Sequence, residues 1–143
     1  MPTSCYIDTN IFLNVIYAEP LFKRGSTLLL RAVQDGRLLG MTSSVTLMEV
    51  ALDLAKTRNG DKIDQALSLI ERTANLRVLP LDSLTVRLAA GLVLDNGITI
   101  HDAYHGATAI ENNASVFVTR DRVLRDRLKD SISISEPEHV ATT

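Results

Sequence analysis

Short apolar runs at positions 5–7, 38–42, 76–79 and 115–119 alternate with stretches whose apolar residues recur at helical spacing. A run that is apolar on both sides of the pleat must be covered on both faces, and parallel neighbours need a long crossover, usually a helix. The alternation therefore predicts an α/β domain: a parallel sheet of four to five strands, the last around Ile132 and Ile134, sandwiched by helices. Sheets of this kind hold ligands beyond the carboxyl ends of their strands. Asp8 directly follows the first run and Asp121 stands two residues after Thr119, the end of the strongest one. Both carboxylates are expected on one edge of the sheet.

The intervening stretches carry their own start and stop signals. Ile11, Phe12, Leu13, Val15, Ile16 and Tyr17 make a helix apolar nearly all round, to be buried on several sides or placed at an interface. Pro20 suits the first position of the next helix, with Leu21, Gly25, Leu28 and Ala32 at helical spacing and Gly36 at its end. Ser43 or Ser44 caps a helix reaching about Thr57, and residues 58–61 break the chain before a helix with Ile63, Ala66, Leu67 and Ile70. Asp82 or Ser83 caps another that closes at Asn96-Gly97. Asp102 opens a helix with Ala103, Gly106, Ala107 and Ile110 on one face, and a short basic helix starts at Arg122. Residues 1–143 are read as one domain, in which 135–143 has little to bury and is expected to fray.

Composition narrows the class of function. A single cysteine, Cys5, allows no intrachain disulfide, and Asp8 falls where a secretory leader would need its apolar stretch. Both fit a reducing, cytoplasmic setting. The longest uncharged apolar run, 88–94, is far short of the ~20 residues that cross a bilayer, so no membrane partner is expected. A formal net charge of −2 neither repels nor advertises a nucleic acid. Its placement is uneven: Arg120, Arg122, Arg125, Arg127 and Lys129 crowd one segment, either as a solvated face pairing with local Asp or as a phosphate-binding one.

Four acids are candidates for chemistry. Besides Asp8 and Asp121, Asp102 has the small residues Gly106 and Ala109 on its helical face, leaving room beside the carboxylate. Glu49 lies at the border of an apolar helical face, near Val45 and Leu52, where it can point into a cleft. Each has an ordinary alternative: Asp8, Asp102 and Asp121 as helix N-caps, Glu49 as surface solvation.

The joint pattern is more telling than its parts. Tyr6-Ile7-Asp8-Thr9-Asn10, Glu49 in the third helix, Asp102-Ala103 followed by Ala107 and Ala109, and Val116-Phe117-Val118-Thr119-Arg120-Asp121 together resemble the PIN-domain ribonuclease family over essentially the whole chain. Leu124 departs from the pattern, standing where many members carry an aromatic residue. The resemblance implies metal-dependent hydrolysis of RNA phosphodiesters. It casts Asp8, Glu49, Asp102 and Asp121 as metal-binding catalytic acids, and Thr9, Asn10 and Thr119 as groups that position water or phosphate. The length also fits stand-alone members, including toxins of toxin–antitoxin pairs. Electrostatics agrees, since four carboxylates in one cleft repel one another unless cations are present, and oxygen ligands favour Mg²⁺ or Mn²⁺ over zinc. An acidic cleft that takes up a polyanion needs positive rims, for which Arg120 and Arg122 are the candidates; the alternative is pairing with Asp126 and Asp130.

Other readings are open at this stage. His101 and His105, an i,i+4 pair, make half of a zinc site, but further His and Cys ligands are lacking, so a solvent-facing or substrate-contacting pair is the better expectation. Tyr6, Tyr17 and Tyr104 suit either base stacking or the core. A carboxylate after the first strand also suits an aspartyl phosphoacceptor, but the second acid two residues on that a phosphatase motif carries is missing. The same fold kept as a non-catalytic RNA-binding or protein-interaction module is the remaining rival. The apolar surplus of 11–17 and of Leu28-Leu29-Leu30 predicts a homodimer or a groove for a partner, and the resemblance adds an antitoxin that blocks the acidic cleft.

Overall fold

The computed structural model of the chain describes residues 2–142. Five strands, β1 (Thr3–Ile7), β2 (Leu38–Ser43), β3 (Leu76–Leu79), β4 (Val116–Val118) and β5 (Ile134–Ser135), form one parallel sheet in the order β3-β2-β1-β4-β5. The chain runs outward from β1 to β2 and β3, then returns to the other side of β1 for β4 and β5. The switch point of the topology thus lies between β1 and β4, and there the carboxyl ends of the strands open a crevice.

Side-chain alternation along the strands divides the core into two layers. Cys5 and Ile7 of β1 and Val116 and Val118 of β4 face one layer, which packs against α1 (Thr9–Ile16), α2 (Lys23–Gln34), α3 (Ser44–Lys56) and α4 (Ile63–Arg72). Tyr6 and Phe117 face the other, beneath α5 (Ser83–Asn96), α6 (Ile100–Glu111) and α7 (Arg122–Leu128). Burial leaves Cys5 so poorly solvated that its thiol is pushed up to about 12. Among the described residues no single helix is long and apolar enough to cross a membrane.

Local chemistry sets the helix boundaries. Ser43, Asp82 and Asp121 each accept a backbone N–H of the first turn that follows, and Gly97 closes α5 at φ +64°, a left-handed conformation a side chain would strain. Two expectations fail. Pro20 does not begin a helix: Ala18 takes φ +52°, the carbonyl of Glu19 receives the N–H groups of Phe22 and Lys23, and α2 starts only at Lys23. The segment after Ser135 does find something to bury: Pro137 and Val140 are buried and residues 137–141 fold as α8 (Pro137–Ala141) against α2, while Thr143 lies outside the described residues. What local composition hid is a long-range partner. The Arg120 guanidinium stacks on the Phe22 ring, 4.5 Å to its centre, and holds both carboxylate oxygens of Glu138 at 2.7 and 3.1 Å.

Candidate active site

Asp8 is fixed by the strand that ends beside it. Its N–H donates to the Val118 carbonyl at 3.0 Å, which ties the end of β1 to β4. Its side chain is buried at the mouth of the crevice. Oδ1 accepts the Thr9 N–H at 2.8 Å, so Asp8 also caps α1, while Oδ2 accepts the Thr119 hydroxyl at 2.7 Å and the Asn10 amide at 3.3 Å. Thr119 is a junction: its hydroxyl donates to Asp8 and receives Asn10 Nδ2 and the Asp121 N–H, both at 3.1 Å. Asn10 Oδ1 in turn accepts the Arg120 N–H at 3.4 Å. The Asp-Thr-Asn triplet and the Thr-Arg-Asp triplet, 111 residues apart at their Asp8–Thr119 bond, are one hydrogen-bonded unit.

Burial pushes the Asp8 carboxyl above its ordinary range, with nearby Glu49 adding to this, against the opposing pull of His105, Thr119 and Thr9. Glu49 reaches in from α3, its side chain 29% exposed, and its Oε1 accepts the Thr9 hydroxyl at 3.0 Å and a hydrogen bond from His105 Nε2. Burial alone would raise the Glu49 carboxyl, but His105 and Thr9 outweigh it and the net shift is downward.

Asp102 is not the N-cap of its helix. Thr99 holds that position and accepts the Asp102 N–H at 3.3 Å, so the Asp102 carboxylate is free of capping. It is half-buried, and burial first, then the negative charges of Asp8 and Asp121, push its pKa up. The charges of Asp8 and Asp121 are thus both felt at Asp102. Asp121 is exposed and uses Oδ1 to cap α7 through the Leu124 N–H at 3.0 Å.

Not every expected residue arrives. Arg120 turns away from the crevice: besides Glu138 it bonds Asn14 Oδ1 at 2.8 Å, the Phe22 carbonyl and Ser26, so it is a buried tie rather than a rim contact, and its partner is neither Asp126 nor Asp130. Arg122 stands exposed at the start of α7. A cleft beside Glu49 is instead lined by Lys56 and His101, with Thr9, Leu13, Leu52 and Asp53. His101 and His105 do not act as a pair. His101 is exposed, whereas His105 is 1% exposed, with Nδ1 2.6 Å from the Tyr6 hydroxyl and Nε2 against Glu49 and 3.3 Å from Thr9. Tyr6 is itself fully buried and stacks on Phe117, 5.2 Å between ring centres, which removes it from base stacking. Sequence reasoning missed the role of His105, although its place among Ala103, Gly106, Ala107 and Ala109 already set it on the packed face of α6.

The sequence matches the PIN domain family over residues 5–128. The chain belongs to that family. Its members are nucleases that generally use divalent metals. Solved structures share the PIN fold at low identity. A toxin–antitoxin complex from Klebsiella pneumoniae matches with 18% identity and TM-score 0.66, covering 93% of this chain and 97% of that one. VapBC2 from Rickettsia felis, bound to a DNA fragment from its promoter, gives 16% and 0.71 over 94% and 98%. FitAcB from Neisseria gonorrhoeae gives 22% and 0.68 over 94% and 99%. Among curated proteins, none matches the chain in sequence.

The donor set of this PIN domain suits a hard cation in type and sign: the ligating groups are carboxylate oxygens, and the buried aspartate among them receives hydrogen bonds only from neutral groups, the Thr9 and Asn10 N–H and the Thr119 hydroxyl. Among the described residues, no three carboxylate, imidazole or thiol groups already stand close enough to ligate a single ion. Mg²⁺ accommodates this readily, since it keeps several waters and takes only one or two carboxylates directly.

Proposed function

We propose that the protein is a Mg²⁺- or Mn²⁺-dependent endoribonuclease, acting as the toxin of a toxin–antitoxin pair in the cytoplasm. The observation that supports this most is the hydrogen-bonded unit in which Thr119, of the Thr-Arg-Asp triplet, holds the buried Asp8 at the end of β1 while Thr9 bonds Glu49, with the charges of Asp8 and Asp121 both felt at Asp102. Asp8, Glu49, Asp102 and Asp121 would hold the cation, one or two of them directly and the others through its bound waters. When bound, it supplies an activated water and neutralises charge on the phosphate. Thr119 and Thr9 fix the orientation of Asp8, and Asn10 holds the loop that carries Asp121. Lys56, with His101 beside it in the cleft lining, and the exposed Arg122 at the start of α7 are the candidates for the positive rim that a polyanion needs. Leu13 and Leu52 give the cleft an apolar wall against which a base or ribose can rest.

An antitoxin and a second copy of the chain are the partners in this reading. The structural neighbours are toxin–antitoxin complexes, and Leu21, Leu69, Leu84 and Leu94 leave more than half of their surface exposed on the helical layers. A phosphoacceptor role fits poorly, because Asp8 is 6% exposed with both oxygens already bonded. The tie between Glu49 and His105 favours the rival, a non-catalytic RNA-binding module, by occupying one acid. Incubating single-stranded RNA with the protein separates the two. Mn²⁺-stimulated cleavage, lost with chelator and in Asp8→Asn, supports the nuclease; RNA retained uncut under all conditions refutes it.

A further inference from the structure

We propose that His105, braced by Tyr6, positions Glu49 so that one carboxylate oxygen is retained by the protein and the other is presented to the crevice. The inference rests on the metal-dependent reading of the site and adds two residues to it. Carboxylates only accept hydrogen bonds, so His105 Nε2, which faces Glu49 Oε1 and lies 3.8 Å from Asp8 Oδ1, must carry a hydrogen. That N–H and the Thr9 hydroxyl converge on the same atom, Glu49 Oε1. Among the described residues no group bonds Oε2. The opposite ring nitrogen is held at 2.6 Å by the Tyr6 hydroxyl, which can give or take a hydrogen bond and so fits either state of the ring.

Tyr6 cannot drift. It is fully buried, stacked on Phe117, and its ring lies 5.7 Å from that of His105 at a tilt of 60°. A rigid aromatic in the sheet layer thereby fixes a rigid imidazole in α6, which fixes a carboxylate on α3. The arrangement ties α6 to α3, and it removes the freedom of a long glutamate side chain before any ligand arrives. Second partners of this kind orient metal-binding groups, and losing one typically weakens metal affinity by roughly 10- to 100-fold. Glu49 is then a one-oxygen donor of set direction.

The experiment is Mn²⁺ titration of the purified full chain by calorimetry, alongside thermal unfolding in chelator. In His105→Leu, Mn²⁺ binding weakens by roughly tenfold or more. His105→Gln, which restores an N–H donor at the same depth, recovers most of that loss even if its melting temperature stays low. A purely structural role for His105 predicts the reverse, lowered melting temperatures in both variants with unchanged Mn²⁺ affinity. Unchanged or tighter binding in folded His105→Leu overturns the inference. Should His105→Leu fail to fold, Tyr6→Phe, which keeps the ring and removes the hydroxyl that faces His105, decides: weakened Mn²⁺ binding supports the inference and unchanged binding overturns it. If the unsubstituted chain itself binds no Mn²⁺, the metal-dependent reading falls first, and this inference with it.

Discussion

Gly25 occupies the third position of α2, where helix propensity says alanine should be better by about 1 kcal/mol. The structure reverses that expectation. A Cβ at position 25 would overlap the Glu138 carboxylate, with Cδ at 2.5 Å and Cγ at 2.8 Å. The side chain of Glu138 can swing away, but only by releasing its two bonds to Arg120 at 2.7 and 3.1 Å. Hydrogen bonds to charged groups contribute about 1.5–3 kcal/mol each when buried. Glu138 is 44% exposed against 10% for Arg120, so screening reduces the pair to roughly 1–2 kcal/mol. Gly25→Ala should therefore be neutral to about 1 kcal/mol destabilising in the native chain, and about 1 kcal/mol stabilising once Glu138→Ala has removed the obstacle. Urea unfolding of the four proteins in the double-mutant cycle measures this directly. A coupling of roughly 1–2 kcal/mol is expected, and additivity within ~0.5 kcal/mol would refute the view that Gly25 exists to admit Glu138.

Asp8→Asn should abolish cleavage and reduce the loss of stability that the metal-free chain suffers as pH rises above the ordinary carboxylate range. The Asp8 carboxyl is raised above its ordinary value of about 3.8, so its contribution is favourable below that value and is lost as pH rises through the folded pKa. Thermal scans in chelator across a pH series check the sign; an unchanged pH dependence in Asp8→Asn would contradict it. Cys5, with its thiol pushed up to about 12, should resist iodoacetamide at pH 8 in the folded chain and react only in denaturant, as mass spectrometry would show. Lys56→Gln should weaken RNA binding and reduce the salt slope by about 0.7, the single-strand value per phosphate contact, whereas Arg120→Gln should lower stability and leave the slope alone. The opposite pattern would return Arg120 to the RNA interface.

The fold was legible wherever a residue answers to its near neighbours. Ser43 and Asp82 announce their helices, Gly97 ends one, and the apolar runs mark β1 to β4 of the parallel sheet, most fully β4 and the end of β1, where every residue is buried. Asp8, Glu49, Asp102 and Asp121 were legible only as a set matched to a family pattern, since on its own each is a plausible cap or surface acid. Two of those alternatives prove true: Asp8 and Asp121 do cap helices. What stayed hidden depends on contacts that no window of sequence contains. Arg120 finds Glu138 across 18 residues, His105 finds Glu49 across 56 and Tyr6 across 99, and in each case the partner reverses what charge or spacing alone suggested.

The placement of β1 between β2 and β4 has a genetic consequence. Asp8 is translated early, yet the strand beside it, the threonine that orients it and the last acid all come after residue 115. A frameshift or stop codon almost anywhere in the reading frame therefore yields a product with an aspartate and no pocket, and one at codon 136 still deprives Arg120 of its carboxylate. If the protein is toxic to its host, selection for survivors should recover nonsense and frameshift alleles spread along the whole gene, with missense alleles confined to the few side chains that meet at the crevice.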